Sequence, residues 1–459
     1  MNPGDLKILY FIGIGGIGMS ALARYFRRRG AEIHGYDKTP TPLTRALEQE
    51  GMHIHYSEDL SQIPAGVDLV VYTPAVPAQH KELVWFQENG YAVVKRSELL
   101  GMVSQASRTI AIAGTHGKTT TSSLLTYILR TGGIDCTAFL GGIVLDFGSN
   151  YVEGGSDWVV VEADEYDKSF LQLQPQMAAI LSMDADHLDI YGDPEQMLKQ
   201  GYLAFAKKVN AGGKLFVRHD LLSHFRNMPQ AMGYGLDGGA CSSVFRGVED
   251  GKMIFDYTGP KGELKGLKLS LPGRHNVENA TVAVSIALEI GVKEEAIREA
   301  LATFRGIKRR FERVFENERA VYIDDYAHHP AELEATISAA RTLYPGRRLT
   351  GIFQPHLYTR TRDLQAGFAA AMDQLDEPWL LDIYPAREEP IPGVDAGLIL
   401  RQMHNPDKRL LRKEQVLEIL DNHPVDVLLT LGAGDIDMLV EPIGNWMKTH
   451  YSTSNPKAL

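Results

Sequence analysis

The sequence predicts an α/β fold of three domains: a Rossmann-like N-terminal domain, a central P-loop ATPase domain with accessory β-strands, and a C-terminal Rossmann-like domain. Two observations carry this. Short apolar strands repeatedly run into a glycine-rich turn and then a helix, an alternation that builds parallel sheets. Such a unit starts afresh near residues 7, 109 and 320, and each start needs its own sheet. The length of 459 residues agrees, at about 150 residues per domain. The expected domains are 1–106, 107–312 and 313–459.

Composition narrows the function before any motif does. Apolar residues make up 44% and charged residues 23%, an ordinary globular balance that excludes disorder, collagen and coiled coil as the main plan. The net charge of −11 argues against a nucleic-acid sleeve or a polybasic membrane binder. Only Cys136 and Cys241 occur, which excludes a disulfide framework and a cysteine zinc site and suits a reducing compartment. The apolar stretch at 8–14 is too short for a signal peptide, and no apolar run reaches the ~20 residues needed to cross a bilayer. A cytoplasmic protein is expected.

The first unit is a strand at 7–12, a glycine turn, and a helix from about 19 to 29. The next strand, 32–36, ends at Asp37; a third, 68–72, ends at Thr73. Gly13, Gly15 and Gly18, with Gly16 between them, space as G-x-G-x-x-G, and Asp37 follows about 20 residues on. The physics says only that a pyrophosphate can approach this backbone. A nicotinamide dinucleotide, a UDP-sugar and an empty tight turn all satisfy it.

The central unit carries the strongest signal. Gly114, Thr115, His116, Gly117, Lys118, Thr119 and Thr120 follow an apolar strand at 109–113 and open a helix. Amides of such a loop converge on phosphate oxygens, and the helix N-terminus adds roughly half a positive charge. Lys118 reaches the β- and γ-phosphates in this reading, and the Thr119 hydroxyl holds Mg²⁺. Ile112 stands where the strict pattern has its first glycine, so the loop is the shorter G-x-x-G-K-T-T. Two strands deliver acidic ends beside it: 158–161 delivers Glu162, and 177–183 delivers Asp184 and then His187. Glu162 and His187 are natural metal partners for Thr119. Further on, Gly-Pro breaks between 233 and 272 suggest an accessory antiparallel strand group packed on this domain. His275, Asn276 and Asn279 precede an apolar helix; the two amides suit an adenine edge, and Asn276 equally suits a helix cap.

At the second junction a basic run, 305–310, contains Arg310. It reads either as a solvated linker or as an arginine that meets a γ-phosphate. The last unit ends its first strand in Asp324, Asp325, Tyr326, His328 and His329, with Pro330 opening a helix whose inner face is Leu333, Ile337, Ala340 and Tyr344. The next strand ends in Gln354, His356, Leu357, Arg360 and Arg362, where an arginine can fork onto a carboxylate. Gly432 to Asp435 form one more strand-end turn, either punctuation or cleft lining.

Gly-Thr-His-Gly-Lys-Thr-Thr, Glu-Ala-Asp-Glu, the Asp-His pair, Gly-Arg-His-Asn, Arg-Arg-Phe, Asp-Asp-Tyr-x-His-His-Pro, Phe-Gln-Pro-His and Gly-Ala-Gly-Asp occur in this order. Over essentially the whole chain this series resembles the Mur ligase family. The resemblance implies ATP-dependent ligation of L-alanine to UDP-N-acetylmuramate through an acyl phosphate, in peptidoglycan precursor synthesis and so in cell-wall biogenesis, with Mg²⁺ or Mn²⁺. It implies a UDP-binding first domain, with Gly13, Gly15, Gly16, Gly18, Asp37 and Thr73 at the sugar nucleotide. It places Gly114 to Thr120, His275, Asn276 and Asn279 at ATP, and Thr119, Glu162 and His187 at the metal. Arg310 then faces phosphate, while His329, His328, Tyr326 and Arg360 lie near the amino acid, and Lys118, Arg310 and His329 are the catalytic set. The chain would act as a monomer or homodimer. Many relatives carry Arg where Leu357 stands, so the second arm of a carboxylate clamp falls elsewhere, with Arg362 a candidate. A recycling ligase that reattaches a tripeptide to the same sugar is the alternative within the family. Outside it stand a nicotinamide oxidoreductase, which leaves the phosphate loop idle, and a P-loop switch, which leaves the polar clusters at 325–329 and 354–362 idle.

Overall fold

The computed structural model describes residues 3–184, 191–386 and 388–451. Three sheets organise it. The first holds β1 (Ile8–Ile12), β2 (Glu32–Tyr36), β3 (His53–His55), β4 (Leu69–Tyr72) and β5 (Val93–Lys95), in the order β3-β2-β1-β4-β5, all parallel. Strand order reverses at β1, so a crevice opens at the carboxyl ends of β1 and β4, where open α/β sheets bind ligands. The helix Ile17–Arg28 after β1 buries Met19, Leu22 and Phe26 against the sheet face that carries Leu9, Phe11 and Ile33.

The second sheet is larger. It contains β6 (Arg108–Ala113), β7 (Thr137–Val144), β8 (Ser149–Val152), β9 (Trp158–Ala163), β10 (Met177–Ile180), β11 (Lys214–Arg218), β12 (Ala231–Leu236), β13 (Cys241–Glu249), β14 (Lys252–Gly259) and β15 (Gly262–Leu269). Their order is β15-β14-β13-β12-β11-β10-β6-β9-β7-β8. From β12 to β7 every pairing is parallel, and β8 closes one edge antiparallel to β7. The accessory strands expected as a group packed on this domain instead continue its sheet, joined to it through a parallel pairing of β12 with β13. Extension satisfies the row of edge N–H and C=O groups that a separate layer would have left bare.

The third sheet runs β16 (Glu312–Glu316), β17 (Val321–Asp325), β21 (Val427–Leu431), β18 (Leu349–Phe353), β19 (Glu377–Leu381) and β20 (Arg409–Leu411), parallel except for β16. β17, β18, β19 and β21 are buried at every position. Helices cover both faces, which is why these strands are mostly apolar along their length and do not alternate. Contacts divide the chain into two compact units, one of Met1–Phe245, Phe255–Leu269 and Val277–Arg305, the other of Arg246–Ile254, Ser270–Asn276 and Gly306–Leu459. Among the described residues, no helix is long and apolar enough to cross a membrane.

Candidate active site

The phosphate loop sits between β6 and the helix Lys118–Thr131. Gly117 caps that helix at φ +82°, a left-handed conformation that strains any side chain, and Asn279 Oδ1 packs over it. The loop is braced by the segment after β10. Ser182 Oγ lies 2.8 Å from Thr115 Oγ1 and accepts from the His116 amide at 2.8 Å, while Asp184 Oδ2 stands 3.4 Å from His116 Nε2. Lys118 is folded inward: Nζ donates to Gly114 O at 2.7 Å and to Glu165 Oε2 at 2.7 Å. Glu165 is 1% exposed, and burial raises its carboxyl even though the Lys118 ammonium pulls it down. The same carboxylate, with those of Asp164 and Glu162, raises the Lys118 ammonium against the effect of its own burial. Thr119 and Thr120 occupy the first helical turn, with Thr119 buried.

Glu162 is the next-to-last residue of β9, the strand directly beside the loop strand, opposite Ile112 in register, and its carboxylate packs against Gly141 of β7. The Thr119 hydroxyl and this carboxylate are hard oxygen donors, and the bare Gly141 leaves the carboxylate its space. That set fits Mg²⁺. His187, the third expected ligand, lies outside the described residues. Of the expected adenine-side group, Asn279 reaches the loop, whereas Asn276 Nδ2 donates to Pro272 O at 2.6 Å and closes its own turn. His275 is exposed in the first turn of the helix Arg274–Ile290.

In the first sheet the glycine turn hangs on β2: the Gly13 and Ile14 amides donate to Tyr36 O at 2.8 and 3.1 Å. Asp37 Oδ2 accepts from the Gly15 amide at 2.7 Å and Oδ1 from Thr39 at 3.3 Å. An acidic group turned onto its own loop is poorly placed to take a dinucleotide ribose, which counts against the oxidoreductase. Thr73 packs over Gly13. The Arg96 guanidinium packs over Gly18, a cation at the glycine turn that the sequence pattern did not single out.

The third sheet gathers its polar ends separately. Arg309 donates to Asp324 at 3.1 Å and to Gly432 O at 2.6 Å, so it ties β17 to the turn after β21. Arg310 instead lies over the Tyr326 ring, 5.2 Å from its centroid. Burial pushes the Asp325 carboxyl up to about 6, opposed by Arg310 and by amide bonds from Phe311 and Ala327. His328 Nδ1 sits 3.0 Å from Tyr326 O and 3.4 Å from Glu332; burial lowers its basicity, and Glu332 pulls the other way. His329 caps the helix Pro330–Leu343, and the His356 ring lies 6.1 Å from that of His328 and stacks on Tyr384 at 5.8 Å. Arg360 stands in the first turn of the helix Tyr358–Met372, capped by Leu357 at φ +71°. Arg362, the candidate for the second clamp arm, is half exposed and forks onto the adjacent Asp363 at 2.7 and 3.1 Å. The Gly432–Asp435 turn is more than punctuation, since Gln354 bridges Asp435 and the Ile436 amide.

Three family models match in succession: "Mur ligase family, catalytic domain" over residues 8–108, "Mur ligase middle domain" over 112–287 and "Mur ligase, glutamate ligase domain" over 309–434. A UDP-N-acetylmuramate–L-alanine ligase of Porphyromonas gingivalis is 47% identical over 97% of this chain and 100% of its own length. The chain belongs to the Mur ligase family. A ligase of the same name from Cytophaga hutchinsonii is 43% identical over 99% of this chain and 100% of its own. Among solved structures, UDP-N-acetylmuramate–alanine ligase of Thermotoga maritima superposes with a TM-score of 0.84 at 25% identity, covering 97% of this chain and 99% of that one. A murein peptide ligase of Psychrobacter arcticus reaches a TM-score of 0.70 at 24% identity over 96% and 99%. The three sheets are the three domains of this family's architecture. Beyond Arg96, the motif reading of this Mur ligase missed Ser182 and gave Glu165 no role. Ser182 has no motif of its own, and the Glu165 partner becomes visible only once β9 lies beside the loop strand.

Proposed function

We propose that this chain joins the lactyl carboxylate of UDP-N-acetylmuramate to the amine of L-alanine at the expense of ATP. The observation that carries this is the end-to-end match to ligases of that name, at 47% identity, in a chain with an intact phosphate loop. The domain limits 1–106, 107–312 and 313–459 and the assignment of sugar nucleotide, ATP and amino acid to them belong to the same reading.

In the first step a carboxylate oxygen attacks the γ-phosphorus of ATP, giving an acyl phosphate and ADP. Two anions meeting at about 4 Å in an effective dielectric near 20 cost roughly 4 kcal/mol per charge pair. Lys118, leaving Glu165 for the phosphate oxygens, offsets part of that, and the loop amides and helix N-terminus supply more. Thr119, Glu162 and His187 would hold Mg²⁺, which when bound neutralises charge developing on the phosphoryl oxygens. In the second step the alanine amine attacks the acyl carbon, phosphate leaves, and the amine loses a proton. His328, whose basicity burial lowers, or His329 beside it can orient the amine or accept that proton. Arg360 takes one side of the alanine carboxylate.

The decisive assay follows phosphate release with ATP, Mg²⁺ and UDP-N-acetylmuramate, offered L-alanine, glycine, L-serine or the recycled tripeptide. Release with L-alanine alone supports the reading, and preference for the tripeptide gives the recycling ligase. Lys118→Ala abolishes ligation while the sugar nucleotide still binds by calorimetry; near-normal product from that variant would overturn the role given to the loop.

A further inference from the structure

Two imidazoles and a carboxylate, apart from the phosphate loop, meet at the edge of the first sheet. Side chains on a strand alternate, so Glu32 and His34 of β2 share a face. Parallel register sets His34 opposite His53 of the edge strand β3, which brings the second imidazole onto that face. The two rings stack with centroids 4.7 Å apart at 25°, and His34 Nε2 lies 2.7 Å from Glu32 Oε1. One ligand atom from each of the three lies within 4.8 Å of the others. The two imidazoles, His34 and His53, open on a cleft of about 480 Å³ lined also by Glu48, His55 and Gln62.

We infer that Glu32, His34 and His53 form a binding site for a borderline transition-metal dication such as Zn²⁺, Co²⁺ or Ni²⁺. Two imidazoles and one carboxylate are the donor set such ions favour, with an open position left for water, whereas Mg²⁺ binds weakly where nitrogen donors outnumber oxygen. An ion–helix or acidic-surface origin does not account for the arrangement: only one of the three groups is anionic, and His53 is brought in by strand register, not by sequence proximity. Glu32 and His53 are exposed, so their side chains can close onto an ion without repacking the core. Bound there, the ion ties edge strand β3 to β2, the strand whose far end holds the glycine turn through Tyr36 O.

The test is a Co²⁺ titration of the full chain in saturating Mg²⁺, read by the visible d–d absorption of the bound ion. The expected result is saturation at one Co²⁺ per chain, at least an order of magnitude weaker in His34→Gln and in His53→Gln, with Glu32→Gln also weakened and Mg²⁺-dependent ligation unchanged in all three. Far-UV circular dichroism checks that the variants fold, and since Glu32 and His53 are exposed, their variants stand in should His34→Gln unfold. Absence of the band in the native chain overturns the inference. So does a band that survives all three substitutions, because the ion then sits elsewhere.

Discussion

At the scale of single residues, the proposed role of Lys118 at phosphate would make nucleotide binding an exchange of partners, because its ammonium is already paired with Glu165. Both groups are largely buried, at 13% and 1% side-chain exposure, so neither can be abandoned cheaply. Glu165→Gln keeps the shape and removes the carboxylate. It should destabilise the nucleotide-free protein by about 3 kcal/mol, the usual range for breaking a buried pair. Nucleotide, by giving the ammonium new anionic partners, should restore more stability than it adds to the native chain. Thermal melts with and without ATP analogue check this; an equal ligand-induced shift in both proteins would sink the exchange. Asp325 supplies a second test. Its folded carboxyl titrates near 6, above the unfolded value of about 3.9, so the folded state holds the proton more tightly. Stability from this group is complete below about pH 4 and falls by about 3 kcal/mol as pH rises through 6. Asp325→Asn has no such titration, and urea unfolding at pH 4.5 and 6.5 should show a smaller pH dependence than the native chain. These two residues also mark a limit of reading sequence. Asp325 was visible as part of a polar strand end, but its burial against the amides of Phe311 and Ala327 is a product of the folded loop.

At the scale of elements, the strands and their glycine turns were legible because their cause is local. An apolar run such as Thr109 to Ala113, followed by a glycine loop, has few alternatives to a buried strand, and β6 spans Arg108–Ala113 as expected. The accessory strands were legible as strands but not in their place, because edge pairing of β12 with β11 and β13 depends on which neighbour is free, a tertiary matter. The carboxylate at the end of β9 shows the same dependence. Glu162 could be named from its strand end, whereas its seat against Gly141 on β7 could not. That seat makes a prediction. A methyl group on Gly141 collides with the carboxylate and not with the backbone, so Gly141→Ala should fold normally and swing Glu162 aside. The expected outcome is a raised Mg²⁺ requirement for ligation with little change in melting temperature. An unchanged Mg²⁺ dependence would remove Glu162 from the metal set.

At the scale of the whole molecule, the first sheet and most of the second belong to one compact unit and the third anchors another. Within the first unit the join is partly polar. Arg24 on the helix Ile17–Arg28 pairs with Glu50 at 2.6 Å and donates to Asn150 Oδ1 at 2.6 Å, while Asn150, wholly buried on β8, returns a bond to Ile17 O at 2.6 Å. Tyr25 beside it packs on Phe139 and Tyr151 with centroids 5.3 and 6.3 Å away. The apolar contact explains why the two sheets stay together, and the Arg24–Asn150 bond explains why they do so in one register. Arg24→Ala leaves a buried amide oxygen unsatisfied and a carboxylate without its partner. Because Glu50 is 31% exposed, water recovers part of the loss, and a cost of about 2 kcal/mol is expected. Two units with separate cores should melt in separable steps. Calorimetry of Arg24→Ala should therefore lower one transition by about 4 °C, the scale set by a unit of this size, and leave the other where it was. The transition that moves should be the one raised by the sugar nucleotide in the native chain. If both steps shift together, the chain melts as a single cooperative block and the polar join has no separate role.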